Sequence, residues 1–230
     1  MILGIDEAGR GPVIGPLVLC GVWLTARAER DLVELGVQDS KAFGSGEAAR
    51  ARRAELAAEV RRLARCVLVL SADAAEVDRR VGAGQLNMME QELARAVIEH
   101  GPGARRIVAD GARLFGPLRK DHPNLEALNH ADAAVPAVAA ASIVAKDRRD
   151  HLLRAILAPL EQELGLPIAG GGYVNRGTEA FLRTFVERFG VLPGEVRHTW
   201  SWQVLDELGR DPAAGLPLWV SRSDNKTRQK

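Results

Sequence analysis

Leu17–Leu24 is apolar or glycine at every position. A run of that length with no polar alternation predicts a fully buried strand. A shorter apolar strand, Ile2–Asp6, precedes it, and the connection holds Ala8-Gly9-Arg10-Gly11-Pro12 and Gly15-Pro16. Glycine permits backbone angles that other residues avoid, and proline cannot donate to a ladder. So short a connection predicts an antiparallel hairpin. Side chains alternate faces along a strand, so Asp6 and Glu7 point to opposite sides unless the strand ends or bulges there. The glycine-rich stretch is expected to supply that break. Two adjacent acids fit either a solvated turn or a metal site at a strand end.

Further strands are expected at Cys66–Ser71 and Arg106–Asp110, with a weaker fifth at Leu125–Asn129. Helices are expected at Ala28–Leu35, Gly46–Arg65, Leu86–His100, Pro136–Leu164 and Thr178–Phe189, with Thr178 as the N-cap of the last. Strands first, then alternation, then a helical C-terminal third imply an α/β core with a mixed sheet. The expected organisation is a catalytic core over residues 1–165, a helical extension packed on it over 166–210, and a tail over 211–230 whose end is disordered. A net charge of +1 rules out a global basic field, so any nucleic-acid binding must come from a local patch. Cys20 and Cys66 read as small core residues, which fits a reducing cytosol. No apolar run is long enough to span a bilayer, and acids at positions 6 and 7 do not fit a signal peptide.

Two further acids stand at element ends. Asp110 closes Arg106–Asp110 just before Gly111, a placement that suits a presented carboxylate or an ordinary turn residue. Asp132 precedes the helix at Pro136 and suits either a ligand or the helix's positive end. Four gathered carboxylates repel by roughly 1–4 kcal/mol per pair at about 4 Å. The cluster of Asp6, Glu7, Asp110 and Asp132 is therefore sensible only with divalent cations, and oxygen ligands favour Mg²⁺ or Mn²⁺. Two such ions would make the phosphodiester-cleaving arrangement. Arg10, Lys41 and Lys146 are candidate phosphate contacts. Lys146 and Asp150 are also spaced as a helical ion pair. The small residues Ala137–Ala141 would let that helix pack close to a sheet. The sole tyrosine, Tyr173, follows Gly170-Gly171-Gly172 and suits stacking on a base or sugar, or anchoring of the C-terminal helices. The histidines show no metal-ligand spacing.

Asp6-Glu7-Ala8-Gly9-Arg10-Gly11-Pro12 with Gly15-Pro16 resembles the opening signature of ribonuclease HII, the type 2 ribonucleases H. Asp39-Ser40-Lys41, Asn87, Asp110, His130-Ala131-Asp132, Ala139–Lys146 with Arg149-Asp150, Gly172-Tyr173 and Val196–Trp200 follow in matching order. The His-Ala-Asp and Arg-x-x-Trp elements are closer to the archaeal and eukaryotic branch. The resemblance implies an RNase H-like fold, a five-stranded mixed sheet flanked by helices with a helical C-terminal extension. It implies endonucleolytic cleavage of RNA in RNA–DNA hybrids and at ribonucleotides embedded in DNA, leaving 3′-hydroxyl and 5′-phosphate ends. By position, Asp6, Glu7, Asp110 and Asp132 would hold the metals, with Asp121 the fallback for Asp110. Gly9, Arg10 and Gly11 would read the ribose 2′-hydroxyl. Tyr173 would pack on the sugar, and Ser40, Lys41 and Lys146 would lie near the phosphates. Val174 departs from the family's usual Gly-Tyr-Pro, which bears on junction placement. No sliding-clamp motif is seen, and a cytosolic monomer is expected. The alternatives are a DNA-cutting carboxylate-metal nuclease of similar fold, or an inactive hybrid-binding module.

Overall fold

The hairpin forms as expected, and its first strand runs further. In a computed structural model, which describes residues 1–37, 44, 46–165 and 167–211, β1 (Ile2–Ala8) pairs antiparallel with β2 (Leu17–Leu24). Strand β1 continues through both acids, Asp6 opposite Cys20 and Glu7 opposite Leu19. The expected break there does not occur; the ladder persists to Ala8 because β2 offers a partner at every position.

β3 (Cys66–Ala72), β4 (Arg106–Asp110) and β5 (Leu125–Leu128) complete a mixed five-stranded sheet of order β3-β2-β1-β4-β5. Strand β4 pairs in parallel with β1 on one side and β5 on the other. The helices are α1 (Ala26–Glu34), α2 (Glu47–Leu63), α3 (Ala74–Gly82), α4 (Leu86–His100), α5 (Ala112–Phe115), α6 (Ala131–Ala134), α7 (Pro136–Leu164), α8 (Arg176–Phe189) and α9 (Gln203–Glu207), with a 3₁₀ turn at Gly116–Lys120. Helices α4 and α7 fall on their expected bounds. The N-cap of α8 is Asn175, not Thr178: its Oδ1 accepts from Thr178 N at 3.1 Å. The periodicity of the sequence also left α3 unmarked, although its cap is ordinary, with Asp73 accepting from Glu76 N.

By chain contacts the described residues form two units. The first takes Met1–Arg10 and the described parts of Leu17–Ser71 and Asn87–Leu152; the second takes Gly11–Pro16, Ala72–Leu86 and the described residues from Leu153 on. In the first unit the sheet separates two apolar layers by strand parity. Ile2, Val18, Cys20, Val22 and Leu24 pack with Ala137–Ala141 of α7 and with α1 and α2. Leu3, Ile5, Leu19 and Trp23 pack with Ala94 and Val97 of α4 and with Phe115. The small residues of α7 allow a very close approach: a Cβ on Gly4 would overlap the Ala137 carbonyl and Val138 N. Asp150 pairs with Arg53 at 3.0 Å, a partner on α2 instead of its own helix neighbour Lys146.

In the second unit, Val13, Ile14, Leu153, Leu157, Phe181, Leu182, Phe185, Val196 and Leu205 form a separate core. The Gly11–Pro16 segment is tied into it by polar contacts. Val13 N and Ile14 N both donate to the Gly172 carbonyl, at 2.7 and 3.1 Å. The fully buried Arg197 donates from Nε and Nη2 to the Gly15 carbonyl, at 2.9 and 2.7 Å. Trp200 Nε1 donates to the Gly11 carbonyl at 2.9 Å, and the Arg197 guanidinium stacks 4.9 Å from the Trp200 ring.

Candidate metal centre

Strand parity decides where the adjacent acids go. Asp6 shares a face with Ile2 and Gly4, which pack toward α7, whereas Glu7 shares the opposite face with Leu3 and Ile5. Asp110 stands at the last position of the neighbouring parallel strand β4. Its Oδ1 accepts from Ala131 N at 3.0 Å. That contact depends on His130, whose left-handed backbone (φ 58°) turns the chain from β5 into α6. Asp132 therefore sits within α6, a short helix of its own ahead of α7, and is buried there.

Three of the four expected acids converge. Asp6, Asp110 and Asp132 each offer a carboxylate oxygen, and these oxygens lie within 4.8 Å of one another. Glu7 is not one of that trio. It lines an adjoining pocket of about 300 Å³ with Arg10, Asp110, Gly111, Asn129 and His130. Glu7 Oε2 is buried with no hydrogen-bond partner among the described residues.

The electrostatics follow from the placement. Burial, reinforced by the charges of Glu7 and Asp110, pushes the Asp6 carboxyl up to about 8, against the pull of the Ser142 hydroxyl and the Glu7 amide. The Glu7 amide donates to Asp6 Oδ1 at 2.8 Å. Burial also raises the Glu7 carboxyl, opposed by the Arg10 guanidinium and assisted by Asp110. Without a cation Asp6 holds a proton that a free carboxylate would release. An all-oxygen donor set, partly buried, with one orphaned oxygen beside it, fits a hard divalent cation.

The remaining expected residues are placed as follows. Arg10 lies in the Glu7 pocket and pairs with Glu90 and Asn87 of α4. Gly9 has a left-handed φ of 94° that admits the turn out of β1. Lys146 is half-buried on α7, one helical turn beyond Ser142. In the second unit the Tyr173 ring stands beside Gly11, and the residue is 50% exposed. Ser40 and Lys41 lie outside the described residues. Asp121, the fallback for Asp110, is exposed and nearest to Arg95 at 3.6 Å. Two neighbours of the site carried no role in the sequence reading. Ser142 was one more small residue of an alanine-rich helix, and Glu90 one acid of a charged amphipathic one; the only signal for the latter is its spacing three residues after Asn87.

Comparison with known proteins finds relatives over most of the chain. The sequence profile of the family described as Ribonuclease HII matches residues 3–203. A Ribonuclease HII of Methanothermobacter thermautotrophicus is 36% identical over 208 residues, covering 87% of this chain and 96% of that protein. Among solved structures, ribonuclease H2 of Pyrococcus horikoshii superposes with a TM-score of 0.75 at 27% identity, covering 91% of this chain and 99% of that one. The RNase HII of Archaeoglobus fulgidus, solved in complex with PCNA, does so with a TM-score of 0.71 at 33% identity, covering 88% and 96%.

Proposed function

Because the chain belongs to the ribonuclease HII family, and so is a metal-dependent endoribonuclease acting on RNA–DNA hybrids, we propose that it also nicks duplex DNA at single embedded ribonucleotides. In this reading cleavage leaves 5′-phosphate and 3′-hydroxyl ends and takes place in the cytosol. The observation that carries it is the convergence of Asp6, Asp110 and Asp132 within 4.8 Å, beside a pocket that holds both a buried acid, Glu7, and a cation, Arg10.

Two ions, Mg²⁺ or Mn²⁺, would supply an activated water and charge stabilisation for the leaving oxygen. Asp6, Asp110, Asp132 and Glu7 would hold them. Arg10 presents positive charge to the substrate phosphate in the same pocket. The 2′-hydroxyl is what distinguishes the target nucleotide from DNA. It is read by the tightly turned Gly9–Arg10–Gly11 backbone, where absent side chains let a ribose come close. Tyr173 offers an open aromatic face to the sugar beside the ribonucleotide, and Lys146 and the Ser40-Lys41 pair contact the flanking phosphates.

The test is a labelled duplex carrying one ribonucleotide, incubated with Mg²⁺, with Mn²⁺ and with chelator. A metal-dependent nick at the ribonucleotide with the stated ends is expected. An intact duplex in the presence of either ion, or equal cutting of an all-DNA duplex, refutes the reading.

A further inference from the structure

Glu90 is fully buried on α4, and one of its oxygens, Oε1, has no hydrogen-bond partner among the described residues. A half-satisfied buried carboxylate is costly, and an apolar side chain of similar volume is often as stable. Its other oxygen, Oε2, pairs with Nη1 of Arg10. Asn87, one turn earlier on the same helix face, accepts from Arg10 Nη2 at 2.6 Å. The fork of the guanidinium thus meets two acceptors spaced to receive it.

The position of Arg10 makes this consequential. Its guanidinium lines the same pocket as Glu7 and Asp110. A guanidinium there has an alternative: to close on the unpartnered Glu7 oxygen and compete with a cation for it. We infer that Glu90, with Asn87, is a positioning residue that tethers Arg10 to α4 and so keeps Glu7 open to a divalent cation. The inference rests on the metal-site reading above and adds a role for a residue that touches neither metal nor substrate.

The experiment measures Mn²⁺ affinity by calorimetry, without substrate, for the full chain. The Glu90→Gln variant keeps the side-chain volume and removes the charge that holds Arg10. A loss of affinity of about tenfold is expected, the low end for partners that orient metal ligands. The decisive arm adds Arg10→Gln. If Glu90 acts only by restraining Arg10, E90Q/R10Q recovers the parent affinity, whereas general damage to the site would persist. Should E90Q not fold, the exposed Asn87 provides the same test: N87A weakens Mn²⁺ binding by a smaller factor, and N87A/R10Q restores it. Unchanged affinity in the single variant, or a loss that removal of Arg10 does not reverse, overturns the inference. Failure of the parent protein to bind Mn²⁺ would instead overturn the metal-site reading itself.

Discussion

Replacing Asp6 by Asn removes one charge from the cluster and keeps the oxygen that accepts the Glu7 amide. The Asp6 carboxyl is pushed up to about 8 from an ordinary 3.8, first by burial and then by the charges of Glu7 and Asp110. For an acid with a raised folded value, the folded state holds its proton where the unfolded chain has released it. Stability is therefore lost as pH rises from about 4 through about 8. The roughly three pH units between 3.8 and neutrality, at about 1.36 kcal/mol each, set a ceiling of about 4 kcal/mol on the cost at pH 7. It is a ceiling because Glu7 and Asp110 share the interaction. Metal-free D6N is therefore expected to melt above the parent at pH 8, with the gap closing toward pH 4. At about 2–4 °C per kcal/mol for a chain of this size, the difference is readable by thermal unfolding in chelator. Mn²⁺ should raise the parent's melting temperature at neutral pH, leave that of D6N almost unmoved, and restore no cleavage in D6N. A D6N variant less stable than the parent by the same amount at every pH would refute the argument that the cluster is held under electrostatic stress.

The remaining predictions concern parts that position the site. Gly4→Ala drives a methyl into the α7 backbone at Ala137–Val138 and should cost about 1–3 kcal/mol by overpacking, measured as a lower urea midpoint with unchanged m-value. In the second unit, Asp78 accepts from His198 N at 2.6 Å and Thr199 N at 3.0 Å and from the Thr199 hydroxyl. Asp78→Ala strands those half-buried donors and should lower stability by about 1–3 kcal/mol in the same assay. Tyr173→Ala should reduce nicking at single ribonucleotides more than cleavage of long hybrids; equal losses would mean that the ring serves only to pack its loop.

How much of this was legible depended on the range of the interaction involved. The hairpin could be read because an eight-residue apolar run and a glycine-proline connection are local signals. The bounds of α4 and α7 were legible for the same reason, through proline at one start and Gly101-Pro102-Gly103 at one stop. The end of β1 was not, because hydrogen bonds from β2, not the residues of β1 themselves, carry the ladder past Asp6 and Glu7. The identities of the acids could be proposed from their place at element ends. Their division into a trio and a neighbour could not: strand parity sends Asp6 toward α7 and Glu7 toward α4, and only the left-handed turn at His130 delivers Asp132 to the first group.

By itself, then, the chain's order of residues determined the five strands and the longer helices, α3 and the end of β1 excepted, and which side chains had chemistry to offer, since backbone propensity and periodicity act over a few positions. The tertiary structure alone decided which charges meet, how far burial shifts them, and that a buried glutamate on α4 meets Arg10. Those outcomes arise from contacts between residues far apart in the sequence, Asp6 and Asp132 at 126 positions among them, and local propensity carries no information about which distant partner a strand or helix will face.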